Sequence, residues 1–173
     1  MLTAHADAWP TGMQKNPEGR SMAQLAALIE HDIELETLPG EKLRQAYGFW
    51  LKAKGNAELP PQSEMTPEKL PQAMLPHLAI VSVEKGEFRH LMIGSLVTRA
   101  WGEDLTGHTI DEISYGEEVA ERMAVCVKTR RPYYSQGPLK FAVYNFRSYR
   151  VLVMPVAGSQ NEVSQLLIYS EFC

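Results

Sequence analysis

Apolar residues recur at helical spacing twice near the start of the chain. Met22, Leu25, Leu28, Ile29 and Ile33 form one stripe, opened by Ser21 and Gln24 in the S-x-x-Q order of a capping box. Leu43, Ala46, Tyr47, Trp50 and Leu51 form a second, in a helix expected over 41–54 between the breaks Pro39-Gly40 and Gly55-Asn56. Residues 1–20 carry Pro10, Gly12, Pro17 and Gly19 and no apolar period, so they read as a flexible tail. Residues 57–76 are punctuated by proline, and Thr66-Pro67 places a cap before a proline at the first helical position, which predicts one or two turns.

From Leu78 the period shortens to two. LAIVSVEKGEFRHLMIGSLV reads as two strands joined at Glu84-Lys85-Gly86-Glu87. Trp101 to Ser114 reads as short helices and turns, with Gly102 and Gly107 as hinges and Thr109 and Glu112 as a capping box. A longer helix is expected over 117–130, with Val119, Met123, Cys126 and Val127 on one face and Pro132 beyond its end. Three more strands follow, over 133–143, 146–156 and 163–172, the last two joined by a turn at 157–161. Short connections favour an antiparallel sheet with helices gathered on one side, an α+β domain behind a helical leader. Neither of the last two strands has a fully polar face. Tyr149, Val151 and Val153 oppose Leu152, and Leu166 and Ile168 oppose Leu167 and Tyr169. Both faces of the sheet therefore need a cover. The central helices supply one; the leader helices or a second subunit should supply the other.

Composition narrows the class. With 173 residues, 45% of them hydrophobic and 22% charged, the chain suits one soluble domain. Its apolar runs, such as Leu78-Ala79-Ile80-Val81, are too short to span a membrane, and the N-terminus lacks the pattern of a secretory signal. Cys126 and Cys173 fall mid-helix and at the terminus, which suits a reducing cytoplasm better than a disulfide framework. The net charge of −4 is uneven: Lys15 and Arg20 face Asp7, Glu18, Glu30, Asp32, Glu34 and Glu36, so residues 1–38 carry all of it. That acidic leader is either a solvated face or a docking surface for a basic partner. Lys128, Arg130 and Arg131 are the one dense basic spot, and as a helix end they complement its dipole. A nucleic-acid partner is not expected.

No Ser-His-Asp or Cys-His set, G-x-S-x-G turn or phosphate-binding loop can be placed. Asp104, Asp111 and Glu112 lie near His108, but turn and cap duties account for them. His31, Asp32 and Glu34 lack the spacing of a helical ligand pair, so no metal is expected.

The element order resembles a PAS domain. LRQAYGFWLKAKGN (43–56), TPEKLPQAMLPHLAIVSVEKG (66–86), FRHLMIGSLVTRAWGEDLTGHTIDEI (88–113) and RRPYYSQG (130–137) are similar to a bacterial single-domain PAS-like family. Where its members often carry Tyr-Arg in the second strand, this chain has His90-Leu91. The resemblance implies sensing or protein interaction: a small molecule between the sheet and the long helix, or a partner on the sheet's outer face. It divides the chain into a tail and first leader helix over 1–38 and a PAS-like domain over 39–173. The pocket candidates it implies are His90, Trp101, Tyr115, Met123, Val127, Tyr133, Tyr144, Arg147 and Tyr149. Arg147, like Arg150, would match an anionic ligand if it pointed inward. Leu25, Ile29, Tyr47 and Trp50 are the leader's interaction candidates, with Tyr47 and Trp50 also suited to sealing the leader against the sheet.

Haem and flavin are not expected, because the long helix offers no histidine and Cys126 falls on its apolar face. The resulting expectation is a stand-alone, cytoplasmic, non-catalytic sensor that binds a small molecule or a regulatory protein. The alternatives are a ligand-free homodimeric interaction module and, third, a small cone-shaped α+β enzyme.

Overall fold

Lys85 and Gly86 both adopt positive φ, 51° and 84°, the two-residue turn that matches the twist of an antiparallel pair. They join β1 (Leu78–Glu84) to β2 (Glu87–Ile93). The computed structural model describes residues 33–113, 116–139 and 146–173. The tail over 1–20, the Ser21–Gln24 capping box, and Leu25 and Ile29 lie outside the described residues.

The remaining strands are β3 (Tyr133–Pro138), β4 (Ser148–Ala157) and β5 (Val163–Phe172). All five form one antiparallel sheet in the order β2-β1-β5-β4-β3. Strands from the two ends of the domain thus meet at its centre, Leu78 opposite Tyr169 and Ala79 opposite Ile168. The helices are α1 (Glu41–Lys54), α2 (Ser95–Trp101) and α3 (Gly116–Thr129), supplemented by single turns such as Leu75–His77 and Ile110–Glu112. This is the expected five-stranded α+β fold with a leader helix.

The alternation of β4 and β5 sorts their side chains as expected, and both faces are covered. Ala79, Val151, Val153 and Ile168 face α3 on the inner side. Leu78, Leu152, Met154, Leu167 and Tyr169 occupy the outer side and are buried as well. The outer cover comes from this same chain. Trp50 of α1 donates its indole N–H to the Pro155 carbonyl at 2.9 Å, and Tyr47 stacks on Trp50. His77 stacks on Tyr169 with ring centroids 5.2 Å apart. The proline-rich stretch buries Leu59, Met65, Leu70 and Met74 in the same core. Thr66 accepts from the Lys69 and Leu70 amides, a single helical turn where one or two were expected, and another short turn of helix, Gln62–Glu64, precedes it. Upstream of α1, Ile33, Leu35 and the buried Leu38 also pack on the core.

One element differs in type. The apolar run after His90 was expected to continue as strand through Val97, yet residues 95–101 are helical. Gly94 explains the switch. Its amide donates to Leu78 at 2.7 Å, and a β-carbon on it would overlap the Leu75 and Pro76 carbonyls. The chain must leave the sheet there, and the following residues satisfy their amides as a helix. β2 is an edge strand, but residues 107–109 cover its open side: His90 N–H donates to His108, and Gly107 N–H to His90.

Candidate functional site

α3 crosses the inner face of the sheet, presenting Val119, Arg122 and Met123 to it. α2 contributes Val97 and Trp101, and the turn at 110–113 contributes Ile110 and Ile113. Between these helices and the sheet lies a cavity of ≈ 120 Å³. Its floor is Ala79, Val151, Val153 and Ile168, with Phe172 and Leu139 at one end. The walls are largely apolar, interrupted by Arg122, Tyr133, Tyr149, Ser170 and His90. An apolar enclosure with a few convergent polar groups is the usual form of a small-molecule site.

The polar groups are arranged by α3 and β4. Arg122 keeps only 15% of its side chain exposed. Its Nη1 donates to the Tyr149 hydroxyl at 3.2 Å and to Ser135 Oγ at 3.5 Å, and lies 3.8 Å from Glu118 Oε1 one turn earlier. Burial works against the charge on Arg122, but Tyr133, Tyr149 and Glu118 outweigh it, leaving the guanidinium pKa above its ordinary value. Tyr133 is buried, and burial pushes its phenol up, so it stays protonated. Tyr149 reaches the same spot from across Gly137 on the neighbouring strand.

His90 is 6% exposed, and its Nδ1 lies 3.3 Å from the His108 carbonyl. A carbonyl only accepts, so Nδ1 carries the hydrogen and Nε2 is the bare nitrogen. Burial holds the ring's pKa below the ordinary value; the bond to His108 opposes this, and the charge of the His108 ring adds to it. His90 is therefore a neutral imidazole at neutral pH.

Of the residues expected to wall a pocket, His90, Trp101, Met123, Tyr133 and Tyr149 line this cavity. Tyr115 and Tyr144 lie outside the described residues. Val127 packs against the core but is not in the lining, because a full helical turn beyond Met123 carries it past the cavity's end. Arg147 also stands off the lining: it is exposed just before β4, its amide bonded to the Cys173 carbonyl. Arg150 is on the outer face, 3.8 Å from Glu171. The inward arginine is Arg122, a residue outside the expected pocket set. The signal was present: residue 122 falls three after Val119 and four before Cys126, on the apolar stripe of the helix.

Tyr47 and Trp50 of the leader are buried against the chain's own sheet. Arg130 of the basic spot is tied to Glu58 and Asn161 at 2.9 Å. The carboxylates around His108 serve the local turns: Asp104 accepts from Thr106, and Glu112 completes the Thr109 capping box. Those hydrogen bonds hold both carboxyl groups below their ordinary pKa. Among the described residues there is no cluster of three or more His, Cys, Asp or Glu able to hold a metal ion. No described helix is long and apolar enough to cross a membrane.

Comparison with known proteins adds a family. The sequence matches the PAS domain over residues 40–167. No curated protein matches it. Among solved structures it is similar to an RNA-binding Light-Oxygen-Voltage receptor, with 14% identity and a TM-score of 0.40, covering 66% of this chain and 36% of that one. The matched region thus spans about a third of that receptor's length.

Proposed function

This chain belongs to the PAS domain family, and on that premise we propose that it is a sensory module whose interior cavity takes up a small molecule. The observation that carries the reading is the cavity between α3 and the inner face of the sheet, apolar on most sides with Arg122, Tyr133 and Tyr149 converging at one place. A volume of ≈ 120 Å³ fits a body of about benzene size, since an apolar cavity of about 150 Å³ admits benzene. That is far short of a tetrapyrrole or flavin.

Binding rather than catalysis is the reading the cavity supports. Among the described residues that line it, no nucleophile is paired with a base. His90 is neutral, but its Nδ1 hydrogen is committed to a backbone carbonyl. Output by association with a regulatory protein completes the proposal. A homodimer built on the outer face of the sheet is less well supported, because α1 and the proline-rich stretch already bury that face.

Native mass spectrometry of the purified protein, with thermal-shift screening against a panel of small metabolites, tests the reading. A co-purifying small molecule or a saturable rise in Tm that disappears in Val153→Trp, which fills the cavity, is the expected result. No bound species and no shift across the panel would remove the ligand-binding role.

A further inference from the structure

Resting on the cavity reading above, we infer that the ligand is a small organic monocarboxylate, its apolar body in the cavity and its carboxylate on Arg122. Three features point to that chemistry. Arg122 is largely buried, yet only Nη1 of its guanidinium has partners among the described residues. Nη2 and Nε, with three N–H donors, are available to a fork-shaped acceptor. A buried donor without an acceptor is costly, so a site that keeps such an arginine is suited to receive one.

Charge tells the same story. Among the described residues the carboxylate paired with Arg122 is Glu118, at 3.8 Å, which is an ion pair without a hydrogen bond, and it is more than a third exposed. It compensates the guanidinium weakly, as a counter-ion that an incoming carboxylate can replace. The hydroxyl of Tyr149 is already aligned with the guanidinium at 3.2 Å, and its phenolic hydrogen can be donated to the same anion. Size supplies the third constraint. Apart from Tyr133, His90 and Ser170 the remaining walls are apolar, around ≈ 120 Å³, which leaves room for one ring or a short branched chain.

Isothermal titration of the purified full chain with benzoate and with its neutral isostere benzamide tests this, with amide-proton NMR spectra confirming that each variant is folded. Benzoate should bind at least about tenfold more tightly than benzamide, the difference expected of a charge-assisted bidentate contact. Arg122→Met should abolish that preference, and Glu118→Gln, at a partly exposed position, should tighten benzoate a fewfold without affecting benzamide. Equal binding of the two compounds, or binding of benzene alone, overturns the carboxylate inference and leaves the sensor reading standing. So does a benzoate affinity that Glu118→Gln leaves unchanged or weakens. If benzoate, benzamide and benzene all fail to enter, the cavity reading itself falls.

Discussion

Trp50 offers a direct test of whether the leader helix is part of the domain's core. Its side chain is 2% exposed, and its indole N–H donates to Pro155 at 2.9 Å in a buried bond between residues 105 positions apart. Replacing it by alanine removes a buried aromatic contact between α1 and the sheet and opens a cavity under the helix. Buried aromatic-to-alanine changes cost about 3–5 kcal/mol. The orphaned carbonyl of Pro155 adds about 1 kcal/mol unless water reaches it. Against a total stability of about 5–15 kcal/mol for such a domain, Trp50→Ala should unfold a sizeable fraction of molecules under mild denaturant. Trp50→Phe separates the two contributions: the ring survives and the bond does not, so a loss of about 1–2 kcal/mol is expected. Urea titration followed by far-UV circular dichroism measures both without relying on tryptophan emission. Light scattering should show Trp50→Ala self-associating as Leu152, Met154 and Leu167 become accessible. A loss below about 1 kcal/mol for Trp50→Ala, with unchanged mass, would refute the argument that α1 is the outer cover.

Three further outcomes follow from the same geometry. Gly94→Ala should lower Tm by more than about 8 °C, since a β-carbon has no space against the Leu75 and Pro76 carbonyls and the backbone must shift; a shift under 2 °C in a thermal melt would contradict the packing. Burial holds His90 below its ordinary 6.5, so below that pH the unfolded chain binds a proton that the folded chain resists. Its contribution is absent above about pH 7 and becomes destabilising as pH falls through 6.5, by at most about 1.4 kcal/mol per pH unit. His90→Asn should flatten that limb in denaturation series between pH 7.5 and pH 5, and an unchanged slope would count against the buried neutral imidazole. Cys126 is buried with its thiol pushed up by burial, whereas Cys173 is exposed. A thiol reagent should therefore titrate one cysteine in the native protein and both in denaturant; two fast equivalents in the native state would be incompatible with this core.

Local pattern and element agree most closely where end signals are strong. α1 runs over 41–54 as expected because its apolar stripe is bracketed by Gly40 and Gly55. The β1–β2 turn follows from Lys85-Gly86, and the Thr109–Glu112 box forms as its spacing predicts. Residues 95–97 read as strand but are helical, because a short apolar run has no period that separates a buried strand from a buried helix. The close contact of Gly94 with the Leu75–Pro76 carbonyls decides the matter.

The candidate site was legible in part. Sequence pattern points to Trp101, Tyr133, Tyr149 and His90, but places the candidate arginine on β4 rather than on α3. Arg147 and Arg150 resemble an anion-binding pair in sequence, but strand alternation turns Arg150 outward, and Arg147 lies ahead of the strand. Arg122 resembles a solvated helix residue until the sheet is laid beneath it.

The sequence by itself determined the elements, their order and which strand faces are apolar, because periodicity, caps and turns act over a few residues. The tertiary structure alone decided that β1 pairs with β5, that the chain's own leader covers the outer face, and that Arg122, Tyr133 and Tyr149 meet. Arg122 and Tyr149 lie 27 positions apart and Trp50 and Pro155 lie 105 apart. Contacts over such separations leave no local signal. They are selected only when the whole core closes and each buried polar group must find its partner.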